Sequence, residues 1–159
     1  MSEGDRPAVE VEEVAPDSPD AAACLARYFR ELVDRFDSGF DASLSSAPTL
    51  SGFEPPEGCF IVMRQGGRPF ACGGFKRDRD AAYIKRMWVA GEARGLGLGR
   101  QLLTELEERA RSRGYRLIRL ETERSLTEAQ ALYRSSGYAE VPPFNDELYA
   151  HHWFEKRLD

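Results

Sequence analysis

The spacing of apolar and polar positions changes several times along the chain, and each change predicts an element. Val9-Glu10-Val11-Glu12-Glu13-Val14 alternates in part, which predicts a first strand. Asp17-Ser18-Pro19-Asp20 reads as a helix start, a capping residue followed by proline at the first helical position. Leu25, Phe29, Leu32, Val33 and Phe36 then recur at helical spacing and predict one buried stripe, with Asp37-Ser38-Gly39 ending the helix. Residues 40–57 lose the period. They are rich in Ser, Pro and Gly with scattered Phe40, Leu44, Leu50 and Phe53, and they predict a long loop, or a loop with a short helix, over a binding site. Cys59–Arg64 and Phe70–Phe75 read as strands joined by the turn Gln65-Gly66-Gly67-Arg68. A polar turn, Lys76–Asp80, leads to a strand over Ala82–Val89. A helix follows from about Gly97 to Arg113, its buried stripe formed by Leu98, Leu102, Leu103, Leu106 and Ala110 and its end by Gly114. Tyr115–Thr122 reads as a strand. Thr127-Glu128-Ala129-Gln130 fits a capping box for a helix carrying Ala129, Leu132 and Tyr133 and stopping at Gly137. A short strand, Tyr138–Val141, the turn Pro142–Asp146 and a last strand from about Leu148 to Lys156 complete the order, with residues 1–8 expected to fray. The result is a mixed α/β chain in which an antiparallel meander feeds a βαβ-like unit.

Composition narrows the possibilities. A length of 159 residues suits one domain over 1–159. The formal net charge of −5 gives no support to nucleic-acid binding, which needs a basic face. No apolar run approaches a membrane span, and the N-terminus lacks the basic and apolar regions of a signal peptide. Cysteines stand at 24, 59 and 72, odd in number and without a CxxC pair. They are expected to be reduced, buried thiols of a cytoplasmic protein rather than disulfides or zinc ligands, and no metal is expected.

The chemistry concentrates in Arg94-Gly95-Leu96-Gly97-Leu98-Gly99-Arg100, between a strand and an amphipathic helix. Glycines let the backbone turn tightly and bring N–H groups against a ligand, and the helix N-terminus adds a positive dipole end, so the run predicts a cradle for phosphate or pyrophosphate. A purely structural role explains it poorly, because each glycine costs about 1 kcal/mol against alanine within a helix. A dinucleotide fingerprint is a second reading, with Gly95-Leu96-Gly97 as its start and Glu121 as its distal acid. It fails because Arg100 stands where the third glycine belongs, and the preceding meander does not suit a doubly wound sheet. No Gly-Lys-Ser/Thr follows, which excludes a Walker loop.

The stretch from Val89 to Leu103 resembles the first motif of the GNAT family of N-acetyltransferases, Arg/Gln-x-x-Gly-x-Gly/Ala, with Arg94, Gly97 and Gly99 at the motif positions. Leu132-Tyr133-Arg134-Ser135-Ser136-Gly137-Tyr138 resembles that family's later leucine-tyrosine and glycine-aromatic motif. The resemblance implies a central mixed, mostly antiparallel sheet of six to seven strands flanked by helices. In it, Ala82–Val89 and Tyr115–Thr122 start side by side and splay apart around acetyl-CoA. It implies backbone contacts to the pantetheine arm along Met87, Trp88 and Val89, and pyrophosphate held by Arg94, Gly95, Leu96, Gly97, Leu98, Gly99 and Arg100. It also implies that Tyr133 protonates the departing thiolate, the alternative being a ring that only packs in the core.

Two departures from the family pattern stand out. Tyr83 takes the place of a glutamate that draws a proton from the amine, and Leu126 stands near the position of a cofactor-contacting asparagine. The base is therefore open among Glu121, Tyr83 through a water, His151 and His152. For Glu121 the competing role is a surface ion pair with Arg119 or Arg124. The two histidines, read as neighbours on the last strand, point to opposite faces. Lys85 and Arg86 also lie on opposite faces, one of them a candidate partner for a substrate carboxylate or for a structural ion pair. Trp88, Phe144, Trp153 and Phe154 are expected in the core. The implied reaction is direct acetyl transfer to the primary amine of a small molecule, without a covalent enzyme intermediate. A protein N-terminus or lysine is the alternative acceptor, and a non-catalytic acyl-CoA sensor is the alternative class. The family's members often dimerise, so a homodimer is among the expected assemblies.

Overall fold

The computed structural model describes residues 8–37 and 39–159. Apart from Ala8, the expected N-terminal fraying lies outside the described residues. The order is β1 (Val9–Glu13), α1 (Pro19–Arg35), β2 (Cys59–Gln65), β3 (Arg68–Asp78), β4 (Ala81–Val89), α2 (Leu98–Ser112), β5 (Leu117–Thr122), α3 (Thr127–Ser135), β6 (Ala139–Val141) and β7 (His152–Arg157). One sheet of seven strands runs β1-β2-β3-β4-β5-β7-β6. Every neighbouring pair is antiparallel except β4 and β5.

The parallel pair is brief. Ala82 faces Ile118 and Tyr83 faces Arg119, and the pairing then stops while β4 runs on to Val89. The strands therefore diverge and open a wedge between Met87–Val89 and α3. α1 and α2 both pack on β2, β3 and β4. Cys59–Met63 are buried at five successive positions, as expected of a strand covered on both faces. Within this core Gly74 admits no side chain, because a Cβ there would lie 2.6 Å from the Cys59 carbonyl oxygen. Gly74→Ala is expected to lower unfolding stability by about 1–3 kcal/mol, the usual cost of overpacking, read as a lower urea midpoint.

A bulge interrupts β3 and β4. Cys72 faces Trp88 and Gly74 faces Lys85, so Gly73 alone stands opposite Arg86 and Met87. Arg86 takes φ of 61°, a left-handed conformation unusual outside glycine. Its guanidinium compensates by donating to the carbonyls of Ala47 at 2.6 Å and Thr49 at 3.2 Å, and it lies over the rings of Phe29 and Phe53. The bulge thus pins the 39–57 segment against β4.

Several boundaries differ from the sequence reading. β3 continues through Lys76–Asp78, because pairing with Ala81–Tyr83 outweighs their polar character. β5 begins at Leu117 rather than Tyr115, and β6 at Ala139. β7 begins at His152, since Leu148 is exposed and residues 142–151 form a loop that turns Asn145 and Glu147 inward. Val33 is 52% exposed, one residue and so about 100° beyond Leu32 around α1. The capping box does not form. Leu126 is the N-cap of α3 without a side-chain bond, and Gln130 instead donates to the carbonyls of Glu123 and Arg124. Ser18 does cap α1, accepting from Ala21 N–H.

Candidate active site

Two cavities meet in the wedge. The first, of about 360 Å³, runs along the glycine loop and is lined by Met87, Trp88, Val89, Arg94, Gly95, Gly97, Leu98, Gly99 and Arg100 and by the face of α3. Leu96, grouped with these in the sequence reading, does not line it and is 56% exposed. Gly95 and Gly97 have φ of 83° and 75°, and space at both is open, so the main chain itself forms the wall. Among the described residues, the N–H groups of 95–100 donate to no protein acceptor, and α2 starts without a side-chain cap. Unpaired donors converging at a helix N-terminus form an anion site.

The arginines of the motif are otherwise engaged. Arg94 donates to the Val89 carbonyl at 3.0 Å and to Glu31 at 2.6 Å, and Arg100 donates to the hydroxyls of Ser135 and Ser136.

The second cavity, of about 100 Å³, lies on the far side of Tyr133 and is lined in part by Phe29, Phe36, Phe40, Lys85, Glu121, Glu147 and Tyr149. Tyr28, Leu32, Met87, Leu126, Ala129 and Tyr133 line both. Tyr133 is 6% exposed, its ring packs on Tyr138 and Phe154, and its hydroxyl has no bonded partner among the described residues. Burial, with the charges of Glu121 and Glu128 adding to it, raises its pKa, so the phenol keeps its proton.

Glu121 is held by groups far apart in sequence. Its side chain is 2% exposed. Oε1 accepts from the Tyr83 hydroxyl and from Asn145 at 3.2 Å, and it lies 3.7 Å from Lys85 Nζ. Oε2 is buried with no partner among the described residues. Tyr83 in turn bonds Ser46 at 2.7 Å, and Asn145 is fixed by the Trp153 indole at 2.9 Å. Burial raises the Glu121 pKa, and Lys85 and the bonds from Tyr83 and Asn145 offset this only in part. The neighbouring Glu147 shows the opposite balance. Burial pushes it up, but Lys85 at 2.8 Å and bonds from Ser45 and Ser46 bring it below the usual carboxylate range.

The match to known sequences follows this geometry. The profile of the acetyltransferase (GNAT) family matches residues 24–138. The chain belongs to the GNAT family of acetyltransferases. It is 38% identical over 122 residues to a protein of Azospirillum brasilense named IAA acetyltransferase, covering 76% of this chain and 75% of that one. Its fold superposes with a TM-score of 0.79 on a GNAT-family acetyltransferase from Staphylococcus aureus, at 19% identity, covering 96% of this chain and 100% of that one. A PaiA N-acetyltransferase from Thermoplasma acidophilum, solved in complex with coenzyme A, superposes at 0.73 with 13% identity over 95% and 99% of the two chains.

In this acetyltransferase several sequence expectations are corrected. Glu121 does not pair with Arg119 or Arg124, which bind Glu155 and Asp37 instead. His151 precedes β7, accepts from Arg124 N–H and lies beside Glu123, while His152 bonds Glu140, and neither lines either of the two cavities. Lys85 and Arg86 are both bound within the protein. Trp153 is half-buried and works as a donor to Asn145 rather than as core. None of the three cysteines lines either of these two cavities, and burial beside the Glu13 carboxyl pushes the Cys59 thiol up to about 12.

The sequence reading missed Tyr28, Ser46, Asn145 and Glu147. Tyr28 precedes Leu32 by four residues, a helical spacing that could have placed it on the same face. For the loop residues no local signal exists.

Proposed function

We propose that the chain moves an acetyl group from acetyl-CoA to the primary amine of a small molecule, with both substrates in place at once. The observation that carries this reading is that one cavity is lined both by a buried carboxylate oxygen, on Glu121, and by a buried phenol, on Tyr133, neither with a hydrogen-bond partner among the described residues. Acetyl-CoA would contribute the activated acyl thioester and a pyrophosphate matched to the free N–H groups of 95–100.

Glu121 Oε2 takes a proton from the arriving ammonium and leaves a neutral amine as nucleophile. The amine attacks the thioester carbonyl, so a C–N bond forms and the C–S bond breaks. Arg86 and Met87 stand outside the regular ladder at the bulge, which supports a main-chain donor there for the charge developing on the carbonyl oxygen. Tyr133 gives its proton to the leaving thiolate, and the surplus proton on nitrogen restores it through solvent. The deeply buried thiols, none of them on either of the two cavities, support direct attack without a covalent enzyme intermediate. Three unpaired cysteines also suit a reducing compartment.

Isothermal titration with acetyl-CoA tests the foundation. Gly97→Ala forces a left-handed conformation onto a residue with a Cβ, at about 1–2 kcal/mol. The loop is expected to shift and affinity to fall about tenfold, equivalent to about 1.4 kcal/mol. Equal affinity in the variant, or no saturable binding by the parent protein, removes the cradle from the proposal.

A further inference from the structure

The far cavity has an aromatic wall and, among the described residues, no available cation. Phe40 lies 5.7 Å from Phe29, 5.7 Å from Phe36 and 4.8 Å from Tyr149, ring centre to ring centre, so α1, the 39–57 segment and the loop before β7 supply one continuous apolar surface. Tyr149 is tied in place by Asp41 N–H at 2.8 Å. Glu121, whose Oε2 has no partner among the described residues, lines the same cavity.

Among the described residues two cations line the cavity, and both are already committed. Lys85 Nζ sits 2.8 Å from Glu147 and 3.7 Å from Glu121. Arg86 is spent on the Ala47 and Thr49 carbonyls. Three carboxylates, on Glu121, Glu123 and Glu147, also line the space. An anion brought in by the acceptor would face like charge with no free partner among the described residues, and such juxtapositions are strongly unfavourable in a desolvated site. A positively charged amine meets the reverse field. Size narrows the choice as well. A dry cavity of about 150 Å³ holds a benzene ring. The space here, about 100 Å³ and open at one end, suits one small ring or a short chain.

We propose that the acceptor is a compact primary amine on an aromatic or short apolar body that carries no carboxylate. This rests on the acetyl-transfer reading above and narrows it, turning away from amino acids and toward arylalkylamine-like compounds. Glu147 becomes a specificity-determining residue, because it withholds Lys85 from any acceptor carboxylate.

The test uses the full chain with acetyl-CoA and measures thiol release. The paired acceptors are 2-phenylethylamine and phenylalanine, which differ only in the carboxylate, alongside a short peptide with a free N-terminus. The expected result is kcat/KM at least 100-fold higher for 2-phenylethylamine than for phenylalanine, with the peptide below both. Phenylalanine or the peptide used as well as the amine overturns the substrate inference while leaving acetyl transfer standing. Saturable acetyl-CoA binding with no acceptor acetylated overturns both. Glu147→Gln releases Lys85 and is expected to shrink the amine-to-amino-acid ratio about tenfold, and an unchanged ratio refutes the charge argument.

Discussion

Replacing Glu121 with glutamine is expected to lower kcat/KM by about 10²–10⁴-fold, the usual contribution of a positioned general base. The amide keeps the shape of the carboxyl and its bond with the Tyr83 hydroxyl but cannot take a proton from an ammonium. Folding should survive, because Lys85 keeps Glu147 as its close partner at 2.8 Å. The pH profile supplies a second signature. Burial raises the Glu121 pKa above the ordinary 4.5, so kcat/KM in the parent protein should climb through an apparent pKa on the high side of that value. Stability moves the other way. The folded form holds this proton more tightly than the unfolded chain, so the stability tied to Glu121 is fully present below 4.5 and is lost as pH rises through the raised value. Glu121→Gln should abolish both the activity limb and that part of the stability change. A variant with parent-like turnover and the same rising limb would assign the base elsewhere.

Tyr133→Phe is expected to lower kcat by about 10²-fold or more, with little change in acetyl-CoA affinity or thermal midpoint. Its hydroxyl is bonded to nothing among the described residues, so its removal orphans no partner there, and the ring keeps its packing at 5.8 Å from Tyr138 and 5.7 Å from Phe154. This separates chemistry from packing. A residue that only filled the core would change little on losing an unbonded hydroxyl, whereas a proton donor would lose turnover and spare binding. Because burial raises the Tyr133 pKa, no falling limb from this group is expected below about pH 10. Unimpaired kcat in the variant would leave the thiolate to solvent or to Tyr28, the other phenol shared by the two cavities.

What was legible in the sequence is what neighbouring residues decide among themselves. The Ser18-Pro19 start of α1, the Gly66-Gly67 turn and the apolar period of α2 each depend on a few adjacent backbone angles and side chains, and each formed as read. The glycine loop belongs with them, since positive φ at Gly95 and Gly97 is a local property. The place of Tyr133 beside both cavities was reachable because its motif is contiguous. Glu121 was different. Its position on β5 could be read, but its burial, its free oxygen and its raised pKa arise from Tyr83, Lys85, Asn145 and Ser46, which lie 24 to 75 positions away and come together only when the sheet closes. The same holds for the bulge that turns Arg86 toward the 39–57 segment and for the loop that carries Asn145 and Glu147 inward. Backbone preference acts over a few residues, so the chain alone could announce a glycine-rich turn into a helix. Desolvation and charge pairing depend on which distant groups share a space, so only the folded molecule decided which carboxylate is buried with an unpartnered oxygen and which cations are already paired.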